Sequence, residues 1–268
     1  MLLLSDIRIY PVKSMGGFSV PEALAGPRGL QHDRRWMLTD ENGRFISQRE
    51  IPDMALLGTA VDDAFLHIFR KNNPEQEIRI PLEYPAGTLP EIAVQVWDDT
   101  CRAQVLPAKI NNWLSTELKQ TVQLVYMPDT TRRDTDPAYT PEGFYVSFAD
   151  GYPYLIIGQA SLDALNDRLD IPLPMNRFRP NFVFTGGAPH EEDDWSDFSI
   201  GGVQFRGVKP CGRCIITTTD QETAERAAEP LKTLATYRQK GKKILFGQNV
   251  ILTGAEGVVR VGMEVKKL

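Results

Sequence analysis

Apolar and polar residues along this chain alternate mostly in short, strand-like runs. In "RRWMLTDENGRFISQ" residues that favour strands flank Asn42-Gly43, a dipeptide suited to turns with positive φ, and the pattern predicts a hairpin. The same plan recurs in "EIAVQVWDDTCRAQVL" around Asp98-Asp99 and in "FSIGGVQFRGV" around Gly201-Gly202, and "VILTGAEGVVRVGMEVKKL" adds at least two more strands. Helical spacing is rarer. "KINNWLSTELKQ" sets Ile110, Trp113, Leu114 and Leu118 on one face, and "SLDALNDRL" does so with Leu162, Leu165 and Leu169. A third helix is predicted in "EPLKTLATYRQ", with Pro230 in its first turn.

No parallel strand–helix–strand rhythm is visible. The pattern therefore predicts a mainly β protein with some α, its antiparallel sheets curled into barrels under a few covering helices. The helix ending near Gln120 precedes "VQLVYM", which places a boundary there and divides the chain into residues 1–120 and 121–268. No internal repeat or low-complexity linker interrupts either part.

At 268 residues, with 42% hydrophobic and 24% charged residues, the chain can bury a substantial core and is ordinary for a soluble globular protein. A formal net charge of −5 speaks against general affinity for nucleic acid or anionic membrane. The start, "MLLLSDIRIYPV", has no basic leader and is broken by Asp6 and Arg8, and no later run reaches the length of a spanning helix. A cytoplasmic protein is the expectation.

The chemistry gathers at "KPCGRCIITTTD". Cys101, Cys211 and Cys214 are too few for a disulfide framework, and His32, His67 and His190 show no metal-ligand spacing. A redox pair of the thioredoxin kind would open a helix, whereas Cys214 runs into a β-branched, strand-like segment; half a zinc site lacks its second pair. Two buried small hydrophobes and a soft-metal thiolate both stay open, the second favoured by the neighbouring cations Lys209 and Arg213. Other fragments supply an anion-binding set: Lys13 and Ser14 in "YPVKS", Arg34 and Arg35 in "HDRRW", Arg177 and Arg179 with Asn181 in "NRFRPN". If Arg34 and Arg35 sit in a strand, only one of them can face a shared pocket.

Taken in order, "IYPVKS", "HDRRWML", "SFADGYPYLI", "ASLDALN", "FRPN", "KPCGRCIITTTD", "EPLKTL", "FGQN" and "GVVRVGMEV" resemble the MOSC proteins, a family named after the C-terminal domain of molybdenum cofactor sulfurase. The resemblance covers nearly the whole chain and is nearest to the amidoxime-reducing branch of bacteria and mitochondria. It implies an N-terminal β-rich domain and a MOSC β-barrel holding a molybdenum–molybdopterin cofactor between them, with one cysteine thiolate on the metal. By motif position that thiolate is Cys214. Lys13, Ser14, Arg34, Arg179 and Asn181 match positions that bind the pterin or its phosphate. Gly212 and Arg213 lie beside the ligand, Asp150 and Gly151 match a loop near the metal, and Asn249 matches a cofactor-proximal position. The implied activity is reduction of N-hydroxylated compounds, with Asp150 as candidate for positioning a proton relay.

Some bacterial members of that branch carry a ferredoxin-like domain with four cluster-binding cysteines. No cysteine follows Cys214 here, so an iron–sulfur centre within these residues is excluded by ligand count. A Gly-rich dinucleotide fingerprint is missing too, and the expectation is a separate electron-donor protein of the ferredoxin or flavin reductase type. The rival expectations are a cofactor or sulfur carrier without turnover and a binding module that has lost the metal.

Overall fold

The computed structural model describes residues 1–85 and 87–268. Its central feature is a closed barrel of seven strands, running in the order Tyr154–Gly158, Phe182–Thr185, Leu2–Ile9, Glu264–Lys267, Asp197–Ile200, Val203–Arg213 and Lys243–Leu252, the last pairing back onto the first. Strand alternation turns Leu4, Ile7, Tyr154, Ile156, Phe182, Phe184, Phe198 and Phe205 into a single aromatic-rich core. The rings of Tyr154, Phe182 and Phe205 meet with centroids 5.4–5.5 Å apart.

Residues 36–126 build a second body. A four-stranded sheet (Trp36–Thr39, Gln123–Tyr126, Asp99–Val105, Glu91–Val96) and a three-stranded sheet (Leu57–Val61, Phe65–Arg70, Asn73–Pro81) enclose a shared core with helix Ala108–Leu118. The chain does not divide in space where it divides in sequence. Its first strand belongs to the barrel formed otherwise by residues beyond 153, and Glu22–Gly26 pairs with Gly257–Arg260.

The three expected helices form, over Ala108–Leu118, Gln159–Asn166 and Leu231–Arg238, with Leu169 beyond the second and Pro230 as N-cap of the third. Three readings of the sequence are corrected. Tyr154–Gly158 and Phe182–Thr185 are parallel neighbours joined through the second helix, so one strand–helix–strand unit does exist. The hairpin placed around Asp98-Asp99 turns one residue earlier, at Trp97-Asp98, because Val96 pairs with Asp99. And "IITT" is a short 3-10 turn rather than a strand. The hydroxyls of Thr217 and Thr218 donate back to the carbonyls of Cys214 and Ile215, which satisfies this local turn at the expense of a ladder.

Candidate functional site

A cavity of about 120 Å³ is lined by Lys13, Ser14, Arg34, Asp150, Gly151, Arg179, Asn181, Gly212, Arg213, Cys214 and Asn249, all of them outside the second body. The residues that the family resemblance assigned to the site all line this one cavity, whereas Arg35, Arg177 and Lys209 do not. Cys211 lines it too.

The backbone is bent to bring them there. Eight non-glycine residues among those described have positive φ, and four belong to the site or its rim: Ser14, Arg34, Trp97 and Arg179. Left-handed backbone is unfavourable for such side chains and persists where surrounding structure enforces it. Arg34 sits in a turn ahead of the strand that opens at Trp36, so the two neighbouring arginines part company by turn geometry and not by strand alternation. Arg34 enters the cavity. Arg35 points into a larger groove of about 1220 Å³ on the other side, where Met127 O, Tyr126 Oη and Asp129 occupy it.

The cations of the cavity are crowded and only partly satisfied. The Tyr10 ring is flanked by the guanidinium carbons of Arg34 and Arg179, at 4.4 and 4.3 Å from its centroid. Arg34 is held by Asp33 at 2.6 Å, Asn181 Oδ1 at 3.1 Å and the Arg179 carbonyl at 3.0 Å. Arg179 donates Nη1 to Met15 O at 2.6 Å, while its buried Nη2 has no partner. Burial, with Arg34 beside it, pushes the Arg179 pKa down to about 10. Asn181 is a spacer, accepting the amide of Leu155 and donating to Arg8 O. Arg177 does not line the cavity; it pairs with Asp220, while its buried Nε and Nη1 have no partner.

Lys13 is the third cation of the cavity. Its Nζ is buried and donates to Phe148 O at 2.8 Å and to Asp150 Oδ1 at 2.5 Å. Burial lowers its pKa to about 8 despite Asp150. The Asp150 carboxylate reaches toward solvent. Desolvation works against its charge, yet Lys13, Arg49 and the Trp97 indole outweigh it and hold Asp150 well below the usual carboxylate range. An aspartate held so firmly ionised anchors Lys13 and stores no proton itself near neutral pH.

The two thiols of the cavity each have their own guanidinium. Arg213 Nη1 donates to Cys211 Sγ at 3.1 Å and Nη2 to Phe178 O at 2.7 Å, leaving Nε unpartnered. Arg49 Nη2 donates to Cys214 Sγ at 3.1 Å. Arg49 lies 4.4 Å from the Trp97 ring centroid, and Trp97 Nε1 donates to Asp150 Oδ1 at 3.3 Å. Asn249 donates to Lys209 O, pinning the strand that carries the cysteines. Gly212 faces solvent, and a side chain on Gly151 would meet nothing within 4 Å, so both leave the mouth open.

Sequence reasoning missed Arg49, Trp97 and Tyr10. Tyr10 adjoins "PVKS" and could have been noticed there. Trp97 carried a weaker signal, a bulky aromatic in a tight turn without glycine or asparagine. Arg49 carried none, because the loop that presents it is fixed from far away: Gln48 exchanges hydrogen bonds with Gln221, and Arg226 donates to the carbonyls of Gln48 and Arg49.

A barrel of this topology joined to a second β-rich body, with cysteines at the end of one barrel strand, defines a two-domain MOSC protein. Residues 1–121 match the MOSC N-terminal beta barrel domain and residues 144–266 the MOSC domain. The chain is 31% identical to mitochondrial amidoxime-reducing component 1 of Mus musculus, over 97% of its own length and 80% of that protein's. It is 34% identical to mitochondrial amidoxime reducing component 2 of Homo sapiens, over 88% and 72%. With molybdenum cofactor sulfurase of Solanum lycopersicum it shares 29% identity over 98% of its length, which is about a third (35%) of the sulfurase. The chain belongs to the MOSC-domain family, in the branch that includes the amidoxime-reducing components. No helix among the described residues is long and apolar enough to cross a membrane.

Proposed function

We propose that the protein is a molybdenum-cofactor-dependent reductase of N-hydroxylated compounds. One observation carries the reading: a soft sulfur donor, Cys214, lines the same cavity as a set of buried, partly unpartnered cations. The described residues contain no group of three or more His, Cys, Asp or Glu able to hold an ion. A metal at Cys214 therefore needs ligands from a cofactor, and the cations in the same cavity suit that cofactor's phosphate.

The residues present fit such a group. Unpartnered Nη2 of Arg179 and Nε of Arg213 are buried donors of the kind an anionic, hydrogen-bonding ligand satisfies. Lys13, Ser14, Arg34, Arg179 and Asn181 would hold the pterin-phosphate end, and Cys214, flanked by Gly212, Arg213 and Asn249, the metal end. When bound, the cofactor supplies a two-electron redox centre with affinity for oxygen.

The chain itself does the binding, orienting and proton handling. Conversion of an N–OH group to N–H and water consumes two electrons and two protons. Lys13 Nζ, with a pKa near 8, carries a proton at neutral pH, and ionised Asp150 Oδ1 directs that proton toward the open mouth at Gly151. We assign the electrons to a separate donor protein of the ferredoxin or flavin reductase type.

The second reading is a cofactor or sulfur carrier without turnover, favoured by Cys211, a second thiol in the same cavity beside Arg213. Protein made in a cofactor-competent host separates the two. The reductase reading expects about one molybdenum per chain and oxidation of reduced viologen on adding a hydroxylamine or amidoxime, with the amine or amidine formed. Molybdenum bound without any turnover across several such substrates selects the carrier, and protein that never binds molybdenum overturns both.

A further inference from the structure

The cysteine-bearing strand Val203–Arg213 ends against a hairpin whose tip is unusually basic. Strands Gln239–Lys240 and Lys243–Leu252 pair Lys240 with Lys243, and Gly241 supplies the positive φ that the two-residue turn requires. Lys240, Lys242 and Lys243 are all exposed. Ion pairs formed by lysine among the described residues are those of Lys13, Lys71, Lys209 and Lys267, so none of the three is neutralised.

This tip adjoins the end of the cysteine-bearing strand. Gly212 pairs with Leu245 and Arg213 with Ile244, and a Cβ on Gly212 would lie 3.6 Å from the Lys243 side chain. Lys209 feels Lys243 as a like charge. Directly after Cys214, Ile215 is 45% exposed, an aliphatic side chain left bare two residues beyond Arg213, which pairs with the lysine-bearing strand at Ile244. A chain of net charge −5 thus concentrates unpaired positive charge beside the strand end that leads into Cys214.

We propose that the Lys240–Lys243 hairpin tip together with Ile215 is the docking face for the electron donor, a small acidic one-electron redox protein. The inference rests on the reductase reading above. Charge complementarity selects an acidic partner and steers its encounter, while Ile215 gives the short-lived complex an apolar centre. Two successive encounters deliver the two electrons that each N–O reduction consumes, and each leaves one donor oxidised by one electron. The larger groove at Arg35 is a poorer candidate, since Arg28 and Arg35 are already tied to carbonyl and carboxylate oxygens.

The test uses the molybdenum-loaded full chain, an acidic [2Fe–2S] ferredoxin kept reduced as donor, and the variant Lys240→Glu/Lys242→Glu/Lys243→Glu. The expected result is a KM for ferredoxin raised about tenfold or more and a flattened salt dependence, with viologen-driven turnover within about twofold of wild type. An unchanged KM for ferredoxin overturns the proposal. Absence of viologen-driven turnover in the wild type counts against the reductase reading instead. The docking face is then judged by adding ferredoxin to isotope-labelled protein: resonance changes at Lys240, Lys242, Lys243 and Ile215 support it, and changes elsewhere or none overturn it. Equal perturbation by basic cytochrome c, by RNA or by anionic vesicles also overturns it, because the face would then not be selective for an acidic redox protein.

Discussion

Arg49 Nη2 lies 3.1 Å from Cys214 Sγ, a contact between residues 165 apart in sequence that joins the two bodies. A guanidinium donating to sulfur orients it as a donor toward a soft metal. Trp97 braces that guanidinium from behind, and Gln221 and Arg226 hold the loop. Losing a hydrogen bond to a charged group costs roughly 1.5–3 kcal/mol. Arg49→Ala is accordingly expected to purify folded with a several-fold lower molybdenum content, and Arg49→Lys to recover part of it. Metal analysis beside a circular dichroism spectrum decides. Full occupancy in Arg49→Ala means that the contact does not assist metal binding.

The two thiols are expected to differ. Cys214, at the start of the 3-10 turn and paired with Arg49, is assigned to the metal; Cys211 is held by Arg213 two residues along its own strand. Cys214→Ala should lose bound molybdenum and reductase activity together, while Cys211→Ala keeps most of both. The opposite outcome reverses the assignment.

The cavity was legible residue by residue because its members occur in short local motifs whose chemistry is unusual: adjacent cations and thiols, and an arginine before Pro-Asn. Fold legibility followed the same rule. Gly201-Gly202 dictated its hairpin, since both residues take positive φ there, whereas Trp97 adopts that conformation against its own preference and displaced the expected turn by one residue. "IITT" misled because β-branched residues favour strands unless threonine hydroxyls find closer acceptors, as Thr217 and Thr218 do. Arg49 was invisible for a different reason. Its position depends on partners more than 170 residues away, and no local pattern encodes that.

The cavity's cations yield a pH prediction. Lys13 has its pKa lowered by burial to about 8, so its charge is present at pH 6–7 and is lost as pH rises through 8. Retention of an anionic cofactor should therefore weaken between roughly pH 7 and 9, with no such trend in Lys13→Met. Lys13→Ala and Arg179→Ala should both be folded and cofactor-poor at any pH. The check is molybdenum and phosphate content after dialysis at pH 6.5 and 9. Wild-type retention that does not change across that range removes Lys13 from the anion site.

Far from the cavity, Glu192 offers a test of the barrel's own electrostatics. It is fully buried, accepting hydrogen bonds from the amide of Gly158 at 3.2 Å and the hydroxyl of Ser161 at 2.8 Å, with no cation paired to it. Burial dominates and pushes its pKa up to about 7 from the ordinary 4.5. The sign follows from proton counting. Between those two values the folded protein keeps a proton that the unfolded chain has lost, so stability falls as pH rises across that window and levels off above it. At about 1.4 kcal/mol per pKa unit the full effect is on the order of 3 kcal/mol. Glu192→Gln retains an acceptor for Ser161 and carries no charge, so it should gain stability relative to wild type as pH goes from 5 to 8. Urea unfolding of both proteins at the two pH values measures the gap. A difference between variant and wild type that stays constant from pH 5 to 8 shows that the Glu192 carboxyl titrates alike in the folded and unfolded states.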